Sequence, residues 1–190
     1  MEMREQLLAA TVRVVSEQGW RGATTRRIAE EAGVNEVTLF RHFGSKDTLI
    51  REAMSWNADR MPIPLLPDEP GDVRAELMEW AGQHYAHLLD VRRHIRRTIG
   101  EFEQHPDAAA WPRRVPMRLR ASLEQYILQL RADGRTRGEW LPSAAVSLLL
   151  GALFADAISR DFLPEGIQVP VDEAPRQYVE LFLNAIGFAA

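Results

Sequence analysis

Apolar residues recur at helical spacing from one end of the chain to the other, and no window sustains the period-two alternation of a half-buried strand. The pattern predicts an all-α protein of about nine helices. In the first run Leu7, Leu8, Val12 and Val15 share a face, the run ends at Gln18-Gly19, and Trp20 follows as a core anchor. Thr24 is placed to cap a second helix with the stripe Ile28, Ala29 and Ala32; Gly33 ends it, Asn35 caps a third, and Ser45 caps a fourth with Asp47 in its first turn. Four prolines in PIPLLPDEP, residues 62–70, forbid continuous helix there and divide the chain into an N-terminal part, 1–55, and a larger part, 56–190. Further helices are expected near 72–90, 92–104, 116–132, 143–160 and 173–187, with breaks at His105-Pro106, Asp133-Gly134 and Leu163-Pro164.

Composition narrows the function classes. The chain has no cysteine, which excludes disulfides, zinc-thiolate sites and thiol nucleophiles and fits a reducing compartment. Its start, MEMREQLLAATVRVV, reads as a helix rather than a signal peptide. The longest apolar run, Val146 to Ile158, is interrupted by Ser147, Gly151 and Asp156 and falls short of the roughly 20 residues that a bilayer span requires. A soluble, cytoplasmic protein without a membrane partner is expected. The net charge is -4, and Met1 to Trp56 carry eight basic and eight acidic residues, so the acidity lies entirely beyond them. Lys46 is the only lysine.

The stretch ATTRRIAEEAGVNEVTLFRHFGSK, residues 23–46, holds two helices too short to be stable alone, which must pack on their neighbours as a helix-turn-helix. At 100° per residue, Leu39 and Phe43 of the third helix point one way and Val37, Thr38 and Arg41 the other, with Phe40 and His42 at the flanks. The first pair is core. The second group offers a methyl contact, a hydroxyl and a guanidinium, a set able to touch a thymine methyl, a phosphate and a guanine edge in a major groove. Thr25, Arg26 and Arg27 open the second helix and Lys46 the fourth, where free backbone N–H groups also attract phosphate oxygens. Glu36 brings a carboxylate near the phosphates. It must accept from a cytosine amino group, pair with Arg41 or turn aside.

These residues resemble the helix-turn-helix signature of the tetracycline-repressor (TetR) family of bacterial transcriptional regulators. The likeness covers about the first 55 residues: Gly19-Trp20, the Thr-Thr-Arg start of the second helix, Ile-Ala-x-x-Ala-Gly-Val, Thr-Leu-aromatic-x-His-Phe in the third, and Ser-Lys opening the fourth. It implies DNA-facing roles for Glu36, Val37, Thr38, Phe40, Arg41 and His42, phosphate roles for Thr25 and Lys46, and a base-reaching role for Arg26. Phe40 departs from the tyrosine frequent at its position, which removes a phosphate-seeking hydroxyl and leaves a stacking or methyl contact.

In the C-terminal part, PSAAVSLLLGALFADAISRDFL is apolar nearly all round, and QYVELFLNAIGF repeats apolar residues at bundle-seam spacing. Two such helices facing their symmetry mates would form a four-helix interface, as in dimers of the family, with Leu149, Gly151, Leu153, Phe154, Tyr178, Leu181, Phe182, Ala185 and Ile186 at the contact. Trp56, Trp80, His84, Tyr85, Phe102 and Trp111 are many bulky groups for so few helices. They either pack as core or, as the resemblance implies, line a pocket for a small-molecule effector. His84 and His87 stand one turn apart, but no third ligand is apparent, so no metal is expected. Arg92, Arg93, Arg96 and Arg97 form either a solvated face paired with Glu101 or Glu103, or an anion-receiving rim. No nucleophile, base and orienting group come together, so no catalytic residue and no cofactor are expected and the chain is read as a non-enzyme. The sum is a homodimeric regulator, a repressor of a palindromic double-stranded operator released by a largely apolar effector. The alternative is a helical small-molecule-binding or scaffold protein that keeps the helix-turn-helix shape without an operator.

Overall fold

A computed structural model describes residues 2–61, 63–104, 114–163 and 169–189, apart from the side chains of Thr98 and of residues 101–104. The described residues form eight helices, α1 (Met3–Gly22), α2 (Thr25–Ala32), α3 (Glu36–Phe43), α4 (Lys46–Arg60), α5 (Val73–Gln104), α6 (Arg114–Ala132), α7 (Pro142–Ser159) and α8 (Ala174–Ala185), with a lone antiparallel bridge between Thr136 and Phe188. The chain divides into two compact units. One comprises Met1–Pro62 and His94–Pro116, the other Ile63–Arg93 and Met117–Ala190, so the division falls inside α5 and inside α6.

The first unit is built around α1, which packs on α2 and α4, while α3 lies against α2 and α4. Leu7, Leu8, Val14, Val15, Ile28, Leu39, Phe43, Leu49 and Ile50 form its core, with Trp20 and Trp56 packed against it. Helices of eight residues hold here because their ends are satisfied. Thr24 Oγ1 accepts from Arg27 N, Asn35 Oδ1 from Thr38 N at 2.8 Å, and Ser45 Oγ from Thr48 N at 3.1 Å. Gly33 closes α2 in the left-handed region, its N–H reaching Glu30 O and the Val34 N–H reaching Ala29 O, a pairing that spares two end carbonyls. The predicted end of the first helix at Gly19 is an interruption rather than a stop. Gly19 has φ 71 and ψ 177, a region open essentially to glycine alone, and one further helical turn carries Trp20 onto the core.

In the second unit the core comes from Leu77, Trp80, Tyr85 and Leu88 of α5, Leu123, Tyr126, Ile127 and Leu130 of α6, Val146, Leu149 and Leu153 of α7, and Val179, Phe182 and Leu183 of α8. Where the sequence suggested separate helices over 72–90 and 92–104, α5 runs unbroken for 32 residues. No glycine or proline lies between Asp90 and Arg97, and the arginines there are strong helix formers. The proline-rich segment is not helical. The Leu66 N–H donates to Ser122 Oγ at 3.0 Å, and Trp80 Nε1 donates to Pro64 O at 3.0 Å. The predicted breaks at His105-Pro106 and at Pro164 lie outside the described residues. By length and composition α7, 18 residues at mean hydropathy 1.5, would also suit a membrane. Here it packs on α8 and buries a carboxylate, Asp156, near its end.

Candidate nucleic-acid interface

Leu39 and Phe43 anchor α3 in the core at 0% and 6% exposure, which turns the opposite face outward. On that face Val37 is 75% exposed and Phe40 46%, beside exposed Arg41 and His42 and half-buried Thr38. Among the described residues Arg41 and Lys46 have no ion-pair partner, so both cations are available to an anion. Arg26 does have one. It pairs with Glu30 at 2.9 Å across one turn, with both side chains largely exposed, an interaction weak enough for a phosphate or a base to displace.

Two hydroxyls on this face have committed their protons. Asn35 Oδ1 accepts from both the Thr38 N–H and, at 2.9 Å, the Thr38 hydroxyl. The Thr25 hydroxyl donates to Glu36 Oε2 at 2.6 Å. Of the fates open to Glu36, pairing with Arg41 is not the one adopted: the carboxylate is tied to the start of α2. Lys46 is the first residue of α4, beside the cap Ser45.

The remaining predicted residues are spread over both units. Trp80, His84 and Tyr85 lie buried on α5 in the second unit, with the Trp80 and His84 rings stacked at 6.0 Å. Burial, with a smaller push from His87, lowers the His84 imidazole to about 4, so it is neutral at pH 7. No group of three or more metal-ligating side chains occurs among the described residues. Trp56 belongs to the first unit, where the Arg60 guanidinium sits 4.3 Å from its ring centre and its Nε1 is buried without an acceptor among the described residues. The Phe102 side chain and Trp111 lie outside the described residues. A shallow groove of about 230 Å³ in the second unit is lined by none of these, but by Leu65, Leu66, Asp68, Arg118, Ser122 and Gln125, among others. In the arginine rows, Arg92 pairs with Asp161 at 2.7 Å and Arg97 donates to Gln18 O at 2.6 Å; the Glu101 and Glu103 side chains lie outside the described residues.

The stripe on α7 and α8 separates into two sets. Leu149, Leu153, Phe182 and Ile186 are buried within the chain, whereas Gly151, Phe154, Leu181 and Ala185 are exposed. A Cβ added at Gly151 would meet nothing within 4 Å. Leu148, 52% exposed, belongs with the outward set and was not singled out in the sequence; its spacing of three from Gly151 was the available signal. Tyr178 is half-buried and donates to Asp156 Oδ2 at 2.6 Å, while Tyr85 donates to Oδ1 at 2.6 Å and Arg160 to both oxygens. Burial pushes the Asp156 carboxyl up, but Arg160 and the two tyrosine hydroxyls outweigh it and hold the group below the ordinary carboxylate value. This site carries two residues predicted for different roles, and Asp156 itself was read only as an interruption of an apolar run.

Known proteins share this architecture. Residues 7–53 match the family model described as "Bacterial regulatory proteins, tetR family". An uncharacterized HTH-type transcriptional regulator of Mycobacterium tuberculosis is 28% identical over 175 residues, 88% of this chain and 83% of that protein. The HTH-type transcriptional repressor AcnR of Corynebacterium glutamicum is 36% identical over 58 residues, 30% of this chain and 31% of its own length. Several curated relatives are matched over only 31 to 46% of their own length. In fold, the chain resembles the crystal structure of a TetR-family transcriptional regulator from Mesorhizobium loti, with a TM-score of 0.81 at 21% identity over 97% of this chain and 96% of that one. The N-terminal helices are thus a TetR-family helix-turn-helix domain. Beyond this domain the chain is similar along most of its length to an HTH-type transcriptional regulator and, in fold, to a TetR-family transcriptional regulator.

Proposed function

We propose that this protein is a homodimer that reads a palindromic operator with α3 and acts as a repressor, released when a largely apolar small molecule enters its C-terminal part. The observation that carries the reading is the outer face of α3. A helix anchored by Leu39 and Phe43 exposes Val37 and Phe40 beside unpaired Arg41, apolar and cationic groups that have no reason to share a solvated face but suit a major groove. Lys46 and the first-turn amides of α2 and α4 would hold phosphates and set the docking register. The net charge of -4 does not oppose this, because local cations neutralise phosphates while remote acidity disfavours loose, sequence-blind binding.

The outward set on α7 and α8, Leu148, Gly151, Phe154, Leu181 and Ala185, supports the dimer. A two-fold axis would set the two α3 helices about 34 Å apart, one turn of DNA. An effector releases the operator only by binding better to a conformer whose α3 spacing no longer matches it. The test is selection of the purified protein against random duplex DNA, titration of the winner at two salt concentrations, and sedimentation of the wild type and Gly151→Leu. A palindromic winner bound far more tightly than random DNA, together with a Gly151→Leu chain that sediments as a monomer, is expected. Weak, salt-sensitive, sequence-blind binding would remove the operator reading and favour a scaffold role.

A further inference from the structure

We infer that Glu36, held in place by the Thr25 hydroxyl, is a specificity determinant that selects a cytosine in each operator half-site. The inference rests on the operator reading above and deepens it. It follows from which atoms on this face still have something to offer. Asn35 Oδ1 already accepts from the Thr38 N–H, so it is an oxygen, and the Thr38 hydroxyl 2.9 Å from it must be the donor of that pair. Glu36 Oε2, a carboxylate oxygen, can only accept, so the Thr25 hydroxyl 2.6 Å away must donate to it. Both hydroxyl protons are therefore directed into the protein. What the Thr38 and Glu36 side chains still offer is acceptors: the lone pairs of Thr38 Oγ1 and the second carboxylate oxygen, Glu36 Oε1, which has no hydrogen-bond partner among the described residues. Further along α3, Arg41 and His42 add side-chain donors.

A fixed carboxylate oxygen complements bases that carry an amino group on the major-groove edge, namely cytosine and adenine. The two are not equivalent to a carboxylate. The adenine amino group stands next to the N7 acceptor of the same base, whose lone pair repels a second anion-like acceptor, whereas the cytosine amino group is flanked on its own base by a C–H. Guanine offers two acceptors on that edge and is opposed outright. Thr25 is a positioning residue here. By taking one carboxylate oxygen it prevents the side chain from folding back onto Arg26, whose exposed guanidinium is paired with Glu30 and lies within the field of Glu36. Val37, the most exposed apolar group of α3, follows at the next position and is suited to an adjacent thymine methyl.

The test uses the full chain as wild type, Glu36→Gln and Thr25→Val, each selected against random duplex DNA after a melting curve has shown that it is folded. The wild-type winner is then titrated with all four base pairs at each half-site position. The expected wild-type winner carries one cytosine per half-site whose replacement weakens binding about tenfold. Glu36→Gln should lose that discrimination to within about twofold while preferences elsewhere persist, because a carboxamide turns to offer either a donor or an acceptor. Thr25→Val should lose part of it. A Glu36→Gln protein that selects the same bases with the same ratios would overturn the cytosine contact and leave the operator reading standing. A wild-type winner in which no half-site position discriminates cytosine from guanine would do so without reliance on any variant's fold. Full discrimination retained in Thr25→Val would remove the positioning role alone, and a wild type that selects no sequence at all would bring down the operator reading and this contact together.

Discussion

The two units differ in how deeply they enclose charge. In the first, the ion pairs of the described residues, Arg4 with Glu52, Arg13 with Glu31, Arg26 with Glu30, Arg60 with Glu5 and Arg114 with Asp59, have every side chain at least 38% exposed. Pairs of this kind contribute about 0–1 kcal/mol each and exchange readily with solvent ions. The second unit instead encloses Asp156, its side chain 2% exposed, between Arg160 and the hydroxyls of Tyr85 and Tyr178. A surface that exchanges water and counterions for phosphate benefits from loosely held charge. A bundle whose helices must keep one register benefits from a carboxylate that is satisfied in only one arrangement.

The largest effect that should separate the units follows from Asp156→Ala, which leaves the Arg160 guanidinium and two tyrosine hydroxyls without their acceptor. A loss of about 3–5 kcal/mol in urea unfolding is expected, against less than about 1 kcal/mol for Glu30→Ala in the first unit. Similar losses for the two variants would erase the contrast.

Next is pH. His84 titrates at about 4 in the folded chain and near 6.5 unfolded, so between those values the unfolded state binds the proton and the folded state does not. Stability should therefore fall on acidification from pH 6.5 to 4, by up to about 3 kcal/mol, and His84→Gln should remove that slope. Asp156 has the opposite origin but the same direction: its lowered value adds stability above the ordinary carboxylate range that is lost as pH falls below about 4. A melting-temperature profile that stays flat from pH 6.5 to 4.5 in the wild type would contradict the buried, neutral His84.

On the DNA side, Arg41→Ala should cost about 1–3 kcal/mol on the selected operator and relax its sequence preference, whereas Lys46→Ala should weaken all duplexes alike and flatten the salt dependence by about one unit of slope. Titration of operator and scrambled DNA distinguishes the two patterns. The smallest effect belongs to the caps. Ser45→Ala should destabilise by about 1 kcal/mol in thermal unfolding, with no change of base preference.

Much of the first unit was legible because its determinants are local. Thr24, Asn35 and Ser45 each serve a backbone N–H three residues ahead, Gly33 closes α2 within the same turn, and the burial of Leu39 and Phe43 follows from the angle per residue alone. A cap or a helical stripe needs no knowledge of what lies across the fold, so these features, and with them the outward Val37, Phe40 and Arg41, are written in short spans of chain.

The rest depended on partners that only packing brings together. Tyr85 reaches Asp156 across 71 positions and Thr25 reaches Glu36 across 11, distances over which no periodicity carries information. The same holds for the stripe on α7 and α8, where the sequence marks apolar positions but the intrachain core decides which of them, Leu149 and Phe182, are consumed and which, Leu148 and Leu181, are left outside. Residue order by itself thus determined the all-helical plan, the caps of α2, α3 and α4 and the TetR-like helix-turn-helix signature. The tertiary structure decided where the buried charge sits, which acceptor takes each hydroxyl proton and which apolar face remains open, because burial and hydrogen-bond pairing are properties of neighbours in space.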